Sequence, residues 1–421
     1  MSTTRQKNWA GNITYNAQAW VSPTTVEELQ HIVKSSERVK AVGSRHSFNT
    51  IADTSHTMVA LHQMNKIVDL DTDNMTVTVQ GAMTYGELST YLHANGYALH
   101  NLASLPHISV VGAIMTGTHG SGESNRNLST AVSGIEMVTG TGEILAMSRT
   151  EHGDQFDAMV VSIGALGIIT KITLDILPTY EMRQDLYLNL PFEQVYANFD
   201  AIQASAYSVS LFTHWENNLV TQAWLKSKAD TDFAFSDDFY GGSRATVKCS
   251  PVGDDLTERC TEQFGQVGAW QDRLPHFRME FTPSKGEEIQ AEYFVSRHHA
   301  IEAMQAIHSL HEVITPLLYV SEIRTMRGDD LWLSPAYGQD TVAFHFTWKP
   351  LWEQIQPVLT QIEAVLEPFD ARPHWGKVYT MPAETVKAHY DRFDDFTDLV
   401  HTYDPNNTFQ NEFLKAYFAN A

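Results

Sequence analysis

Cysteine is almost missing from this chain of 421 residues: only Cys249 and Cys260 occur. That excludes a disulfide scaffold and a cysteine-built metal site, and it fits two reduced thiols in a cytoplasmic protein. Positive charge is scarce as well. Against 50 Asp and Glu stand 28 Lys and Arg, a formal net charge of −22, so no basic face is on offer for the phosphates of nucleic acid. Long uncharged apolar runs are also missing. The most apolar window, "DAMVVSIGALGIITKITLDIL" (157–177), is interrupted by Asp157, Lys171 and Asp175 and by Gly164 and Gly167. It reads as a helix, a glycine turn and a buried strand, not as a membrane span. The opening "MSTTRQKNWAGNITYN" has no apolar core of a secretory signal. The expectation is a cytoplasmic monomer with neither membrane nor nucleic-acid partners.

Several reaction motifs are missing too. The 19 histidines form no H-x-H and no H-E-x-x-H, so no metal site is expected. There is no G-x-S-x-G nucleophile elbow. Neither the dinucleotide pattern G-x-G-x-x-G nor a P-loop is present.

What is there describes an ordinary globular protein, with 43% hydrophobic and 19% charged residues. The length exceeds one core and predicts two domains. "TTVEELQHIVKSSE" predicts a helix boxed by Thr24 and Glu27, with Val26, Leu29, Ile32 and Val33 on one face. "RVKAVG" follows as a strand ending at Gly43, then short strands at "TMVAL", "KIVDL" and "MTVTVQ". "TYGELSTYLHANG" predicts a second helix, boxed by Thr84 and Glu87 and closed by Gly96. These small units lack the alternation of a doubly wound sheet and indicate an α+β fold. Between about 226 and 275 the chain is polar and turn-rich, a region of long loops. Beyond 290, strands at "EYFVSR", "LYVSEIRTM", "VAFHFTW" and "HWGKVYT" alternate with two helices, predicting a mixed sheet covered on one side by helices. The tail "HTYDPNNTFQNEFLKAYF" predicts turns and a short aromatic helix.

Two loops invite a ligand. "VGSRHSFNTI" (42–51) sets His46 on a turn of small residues straight after a strand. "ASLPHISVVGAIMTGTHGSGESN" (103–125) carries Gly112, Gly117, Gly120 and Gly122. Such glycines let the backbone come close to a ligand and aim N–H groups at an anion. Either loop alone is as readily a plain turn; two in one domain favour a pyrophosphate ligand.

Three predicted strands carry polar groups at one-face spacing. Glu322 and Arg324 alternate with Ile323, and His345 and Thr347 alternate with Phe344 and Phe346. In "HWGKVYT", Trp375, Lys377 and Tyr379 share one face and His374 and Gly376 the other. A half-exposed sheet with a cross-strand Glu–Arg pair accounts for this. So does a pocket for a hydroxyl-rich ligand, with cations to favour an alkoxide.

The set "VGSRHSFN", "ASLPHISVVGAIMTGTHGSG", "GALGIIT", "SEIRT", "HFTW", "HWGK" and "DPNNTFQNEF" resembles the vanillyl-alcohol-oxidase flavoprotein family, on the side of its bacterial alditol oxidases. The likeness runs from "NWAGNITY" to the final helix. It implies a two-domain flavoprotein: a PCMH-type FAD-binding domain from residues 1–178, a mixed-sheet cap (substrate) domain from 179–378, and a C-terminal segment, 379–421, returning to the first. It also implies FAD joined covalently to His46 through the flavin 8α position. Ala41, Val42, Gly43, Ser44, Arg45 and Ser47 would contact the cofactor with their backbone. Ser104, Ser109, Gly112, Ala113, Ile114, Met115 and Thr116 would join them, as would Gly117, Thr118, His119, Gly120, Ile169 and His374.

For the substrate the resemblance implies Ser104, Glu322, Arg324, Thr347 and Lys377, with Arg324, Lys377, Glu322 and His345 in catalysis. The implied reaction oxidises the terminal hydroxyl of alditols such as xylitol, with dioxygen reduced to hydrogen peroxide. The chain departs from the family pattern at Arg45, where relatives carry a small residue. A long cation there pairs with cofactor phosphate or a surface acid, or crowds the turn. Two other readings compete: a sugar-1,4-lactone oxidase or dehydrogenase of the same family, and a non-catalytic carbohydrate-binding protein whose 9 Trp and 16 Tyr stack on sugars.

Overall fold

Short apolar runs separated by turn residues give short strands, and the N-terminal part is built from them. The structure, a computed structural model, describes residues 6–231, 236–281, 284 and 287–418. Strands Ala19–Val21, Thr57–Ala60 and Val39–Val42 make a parallel sheet with the 57–60 strand central. Helix Val26–Ser35 buries Leu29 and Val33. Its cap lies one residue beyond the predicted one. Thr25 accepts from the Glu28 N–H, and the Glu28 carboxylate reaches back to Thr24. Helix Tyr85–Ala94 carries the expected Thr84–Glu87 box.

An antiparallel sheet follows, in the order 67–71, 76–80, 168–175, 132–138, 144–148. The 157–177 window folds as expected: helix Asp154–Val160, a turn with Ile163 and Gly164 at positive φ, then strand Ile168–Asp175. None of the helices among the described residues is long and apolar enough to cross a membrane.

The second large sheet has ten strands. Its middle runs 181–191, 219–228, 208–213, 318–326, 341–348, 289–296. Every ladder in it is antiparallel, where the sequence suggested a mixed sheet. Neighbouring strands are joined by turns and by helices that return on the same side, which suits antiparallel pairing. Ile323, Phe344, Phe346 and Tyr293 face the helices Ala300–His308 and Trp352–Leu366, whose Met304, Ile307, Ile355 and Leu359 fill the same core. The opposite face carries the polar residues.

The 226–275 stretch is mostly loop, as expected, with residues 232–235 outside the described residues. Cys249 and Cys260 are buried there as free thiols. "HWGKVYT" is corrected from strand to turn: only Arg372–Pro373 pairs, and 374–380 leaves the sheet. The tail helices Phe393–Tyr403 and Glu412–Phe418 add Phe393, Phe396, Leu414 and Tyr417 to the N-terminal core. Asn411 donates to the carbonyls of Thr50, Ile51 and Asp53, closing the chain on its first loop.

Candidate active site

One continuous cavity separates the polar face of the ten-stranded sheet from the two glycine loops. On the loop side, the chain leaves strand Val39–Val42 into the turn 43–48. Ser109 stitches the two loops together, its N–H donating to Ser44 Oγ at 3.0 Å. This approach explains two glycines. A Cβ on Gly43 would lie 2.3 Å from Ser109 Oγ, and one on Gly112 would lie 2.7 Å from it.

Arg45 takes positive φ, 63°, and turns outward. Its guanidinium donates to Gln6 Oε1 and the Lys7 carbonyl, neutral acceptors of the N-terminal segment. His46 goes the other way. Its ring stacks on Trp9 with centroids 5.0 Å apart, and both ring nitrogens are buried without a hydrogen-bond partner among the described residues. Burial pushes its pKa down to about 4, leaving a neutral imidazole with a free lone pair. That is the state a nitrogen nucleophile needs.

Of the implied cofactor residues, Ala41, Val42, Gly43, Ser44, Arg45, His46 and Ser47 line the cavity, as do Ser104, Ser109, Gly112, Ala113, Met115, Thr116, Thr118, His119 and His374. The structure places Ile114, Gly117, Gly120 and Ile169 off the wall. Ile114 and Ile169 are core residues, while Gly117 and Gly120 lie close against Pro335 and Asn101. Ile163 and Gly164, from the turn before Ile169, take up that part of the wall.

On the sheet side, register brings the polar groups into rows. Glu322 sits opposite His345, and His345 opposite Glu292; Thr347 sits opposite Gln290. Directly paired residues share a face, so these groups converge. Arg324 Nη2 donates to Glu292 Oε1 at 2.6 Å, and Lys377 Nζ donates to Glu292 Oε2 at 2.7 Å. His119 Nε2 lies 3.2 Å from the same Oε1. Glu292 is 1% exposed. Burial alone would raise its pKa, but Lys377, His119 and Arg324 hold the carboxyl well below its usual range. Glu322 behaves likewise, with burial overcome by Arg324 and His276; its Oε1 lies 2.8 Å from His276 Nε2. His345 Nε2 lies 3.1 Å from the Gln290 side-chain oxygen, so that nitrogen carries the proton, and Nδ1 has no hydrogen-bond partner among the described residues. Burial, then Lys377, keeps this ring neutral.

The "HWGK" turn joins the two sides. Phe48 N–H donates to the Gly376 carbonyl, and Asn49 donates to the carbonyls of Trp375 and Lys377, each at 2.8 Å. His374 N–H bonds the Glu292 carbonyl. The His46 loop therefore grips the turn that carries Lys377. Trp375, expected to share a face with Lys377, instead enters the core and donates to Leu333.

The structure adds Glu292, Gln290 and His276 to the site. The first two were readable: in "IQAEYFV", Gln290 and Glu292 alternate with apolar residues, the signal that exposed Glu322 and Arg324. His276 lies on a loop and has no periodicity to betray it.

Residues 17–148 match the family described as FAD binding domain, and residues 172–417 match D-arabinono-1,4-lactone oxidase. An alditol oxidase of Streptomyces sp. is 43% identical, over 98% of this chain and 99% of that protein. An L-gulono-1,4-lactone dehydrogenase of Mycobacterium tuberculosis is 28% identical over 97% of both. In structure, a solvent-stable cholesterol oxidase superposes with TM-score 0.80 at 16% identity, covering 98% of this chain and 97% of that one. Glucooligosaccharide oxidase of Acremonium strictum, whose FAD is described as 6-S-cysteinyl, 8α-N1-histidyl, superposes with TM-score 0.73 at 16% identity, covering 96% and 93%. The chain belongs to the vanillyl-alcohol-oxidase-type FAD flavoproteins, in the same family as the Streptomyces alditol oxidase.

Proposed function

We propose that the protein is an alditol oxidase, converting the terminal hydroxyl of a polyol such as xylitol to the aldehyde and reducing dioxygen to hydrogen peroxide. The observation that carries this reading is the paired-cation cluster, Arg324 and Lys377 on Glu292, at the cavity that His46 lines. In this reading residues 1–178 and 379–421 form the FAD-binding domain and residues 179–378 the cap. FAD fits the first part: two glycine loops joined at Ser109 give it backbone contacts, and His46 offers the unengaged imidazole for attachment at the 8α position. Bound there, FAD supplies the two-electron acceptor and the route of electrons to dioxygen.

The rest falls to side chains. Arg324 and Lys377 stabilise the substrate oxygen as its proton leaves. Glu292 holds both cations in place and is saturated by them, so it does not compete for substrate. Glu322 accepts a hydrogen bond from a neighbouring hydroxyl. Neutral His345 offers Nδ1 as the acceptor for a hydroxyl proton, and Ser104 and Thr347 anchor further hydroxyls. A second reading has its own support: the lactone-oxidase match spans every cap residue named here.

The two are separated by mixing the oxygen-free protein with xylitol and with an aldono-1,4-lactone. Loss of flavin absorbance with xylitol, and peroxide on readmitting air, is the expected result. Bleaching by the lactone alone overturns the polyol assignment. Acid precipitation tests the attachment: flavin in the washed pellet is expected, and flavin in the supernatant removes His46 as the linkage.

A further inference from the structure

Lys226 lies on strand Leu219–Lys228 and takes no part in the chemistry above. It is 1% exposed, a rare place for a lysine. Its Nζ donates to the carbonyls of Leu274 at 2.6 Å and Pro275 at 2.9 Å, and stands 3.0 Å from His276 Nδ1. Carbonyl oxygens only accept. Burial pulls the Lys226 pKa down to about 7; in its ammonium form, two carbonyls and one ring nitrogen give each of its three protons one acceptor. His276 Nδ1 is thereby the accepting nitrogen, and the ring proton sits on Nε2.

That proton points at Glu322, whose Oε1 lies 2.8 Å away. The ring has little freedom to choose otherwise. Phe212 and Trp224 pack against it edge-on, with centroids 5.4 and 5.2 Å away. The backbone N–H groups of His276 and Phe277 are both tied to the Ser104 carbonyl. What remains open is the tautomer. The other one would turn a lone pair on Nε2 towards the Glu322 carboxylate, and the two acceptors would repel.

We propose that Lys226 is a positioning residue for polyol binding: it locks His276 as the Nε2–H tautomer, which pins one oxygen of Glu322 and leaves the other to accept a substrate hydroxyl. The proposal rests on the alditol reading for its substrate, and on geometry alone for the lock. Glu322 Oε2 fits the role, having no hydrogen-bond partner among the described residues while Glu322 lines the cavity.

The test uses the flavin-loaded enzyme and two readouts. Nitrogen-15 shifts of labelled histidine, assigned through His276→Gln, report the His276 tautomer whatever the substrate is. Xylitol kinetics report the consequence. The wild type is expected to show Nε2–H. Lys226→Met is expected to lose it and to raise KM for xylitol about tenfold or more, the worth of a charge-assisted hydrogen bond, with kcat much less affected. His276→Gln, whose amide can accept from Lys226 and donate to Glu322, is expected to keep KM near the wild-type value. His276→Leu is expected to match Lys226→Met.

An Nδ1–H ring in the wild type overturns the proposal. So does Lys226→Met with an unchanged tautomer and unchanged KM. If Lys226→Met fails to fold, the His276 pair decides, and equal KM for Gln and Leu is the adverse outcome. If the wild type ignores xylitol, the alditol reading falls and the tautomer still decides the lock.

Discussion

The two ends of the cavity are built by opposite means. At the loop end the contacts come from backbone and small residues: Gly43 and Gly112 closed around Ser109, with Ser44 bonded to it. At the sheet end they come from ionised side chains, with Glu292 and Glu322 threaded between Arg324 and Lys377. A backbone cradle shares its binding among many neutral bonds, each worth about 1 kcal/mol. A buried ionic network concentrates it, because removing one member strands another charge. Substitutions should therefore be far more costly at the sheet end.

The largest effect is expected there. Lys377→Ala and Arg324→Ala should each slow anaerobic reduction by xylitol about a hundredfold to a thousandfold, the loss typical of one electrostatic donor at a developing oxyanion. Flavin content should stay unchanged, since neither side chain belongs to the loops. Stopped-flow bleaching measures the rate. A rate close to wild type would erase the difference between the two ends. Next comes Glu292→Gln, which leaves Arg324 and Lys377 without their shared anion. Its cost should be about 3 kcal/mol or more in urea unfolding. A neutral result would show that solvent enters this end freely.

A pH test probes the loop end. His46 is held to about 4 by burial, against about 6.5 for an unfolded histidine. Between those values the unfolded chain takes up a proton that the folded chain refuses. Stability is therefore full above pH 6.5 and falls as the pH drops towards 4. His276 is also held to about 4 and adds to the slope. In flavin-free protein, His46→Ala should flatten the slope, recovering about 3 kcal/mol across the window. Identical slopes for the two proteins would mean that His46 is solvated.

Sequence patterning showed the loop end well and the sheet end in part, for a physical reason. Loops that approach closely need small residues at the contact, so Gly43, Ser44, Ser109 and Gly112 stand out in the chain, whereas Gly117 and Gly120 serve packing against Pro335 and Asn101. Glu322, Arg324, His345 and Thr347 were visible because strand alternation sorts faces. Glu292 obeys the same alternation, but only cross-strand register, set by tertiary pairing, makes it the common partner of Arg324 and Lys377. "HWGKVYT" misled because its apolar and polar residues alternate, while Asn49 and Phe48 capture its backbone bonds and hold it as a turn. His276 and Lys226 meet across a sequence separation of 50 residues, and no local pattern encodes that.

The smallest expected effect is the sharpest check on the comparison. Ser44→Ala removes the acceptor of the Ser109 N–H. That N–H sits where the two loops meet, beside the residues 41–47 that line the cavity. The loss should be about 1 kcal/mol of stability in the flavin-free protein, because a small neutral bond is broken and no charge is stranded. At saturating FAD the xylitol KM should not move, since the Glu292 network shares no hydrogen bond with Ser44. If KM rose as it should for Lys226→Met, the loops and the sheet would be one coupled unit, and the division between a neutral cradle and an ionic grip would fail. If stability fell by about 3 kcal/mol, the cradle would depend on single contacts as heavily as the ionic cluster does. A loss confined to about 1 kcal/mol, with binding intact, is the result that a distributed cradle requires.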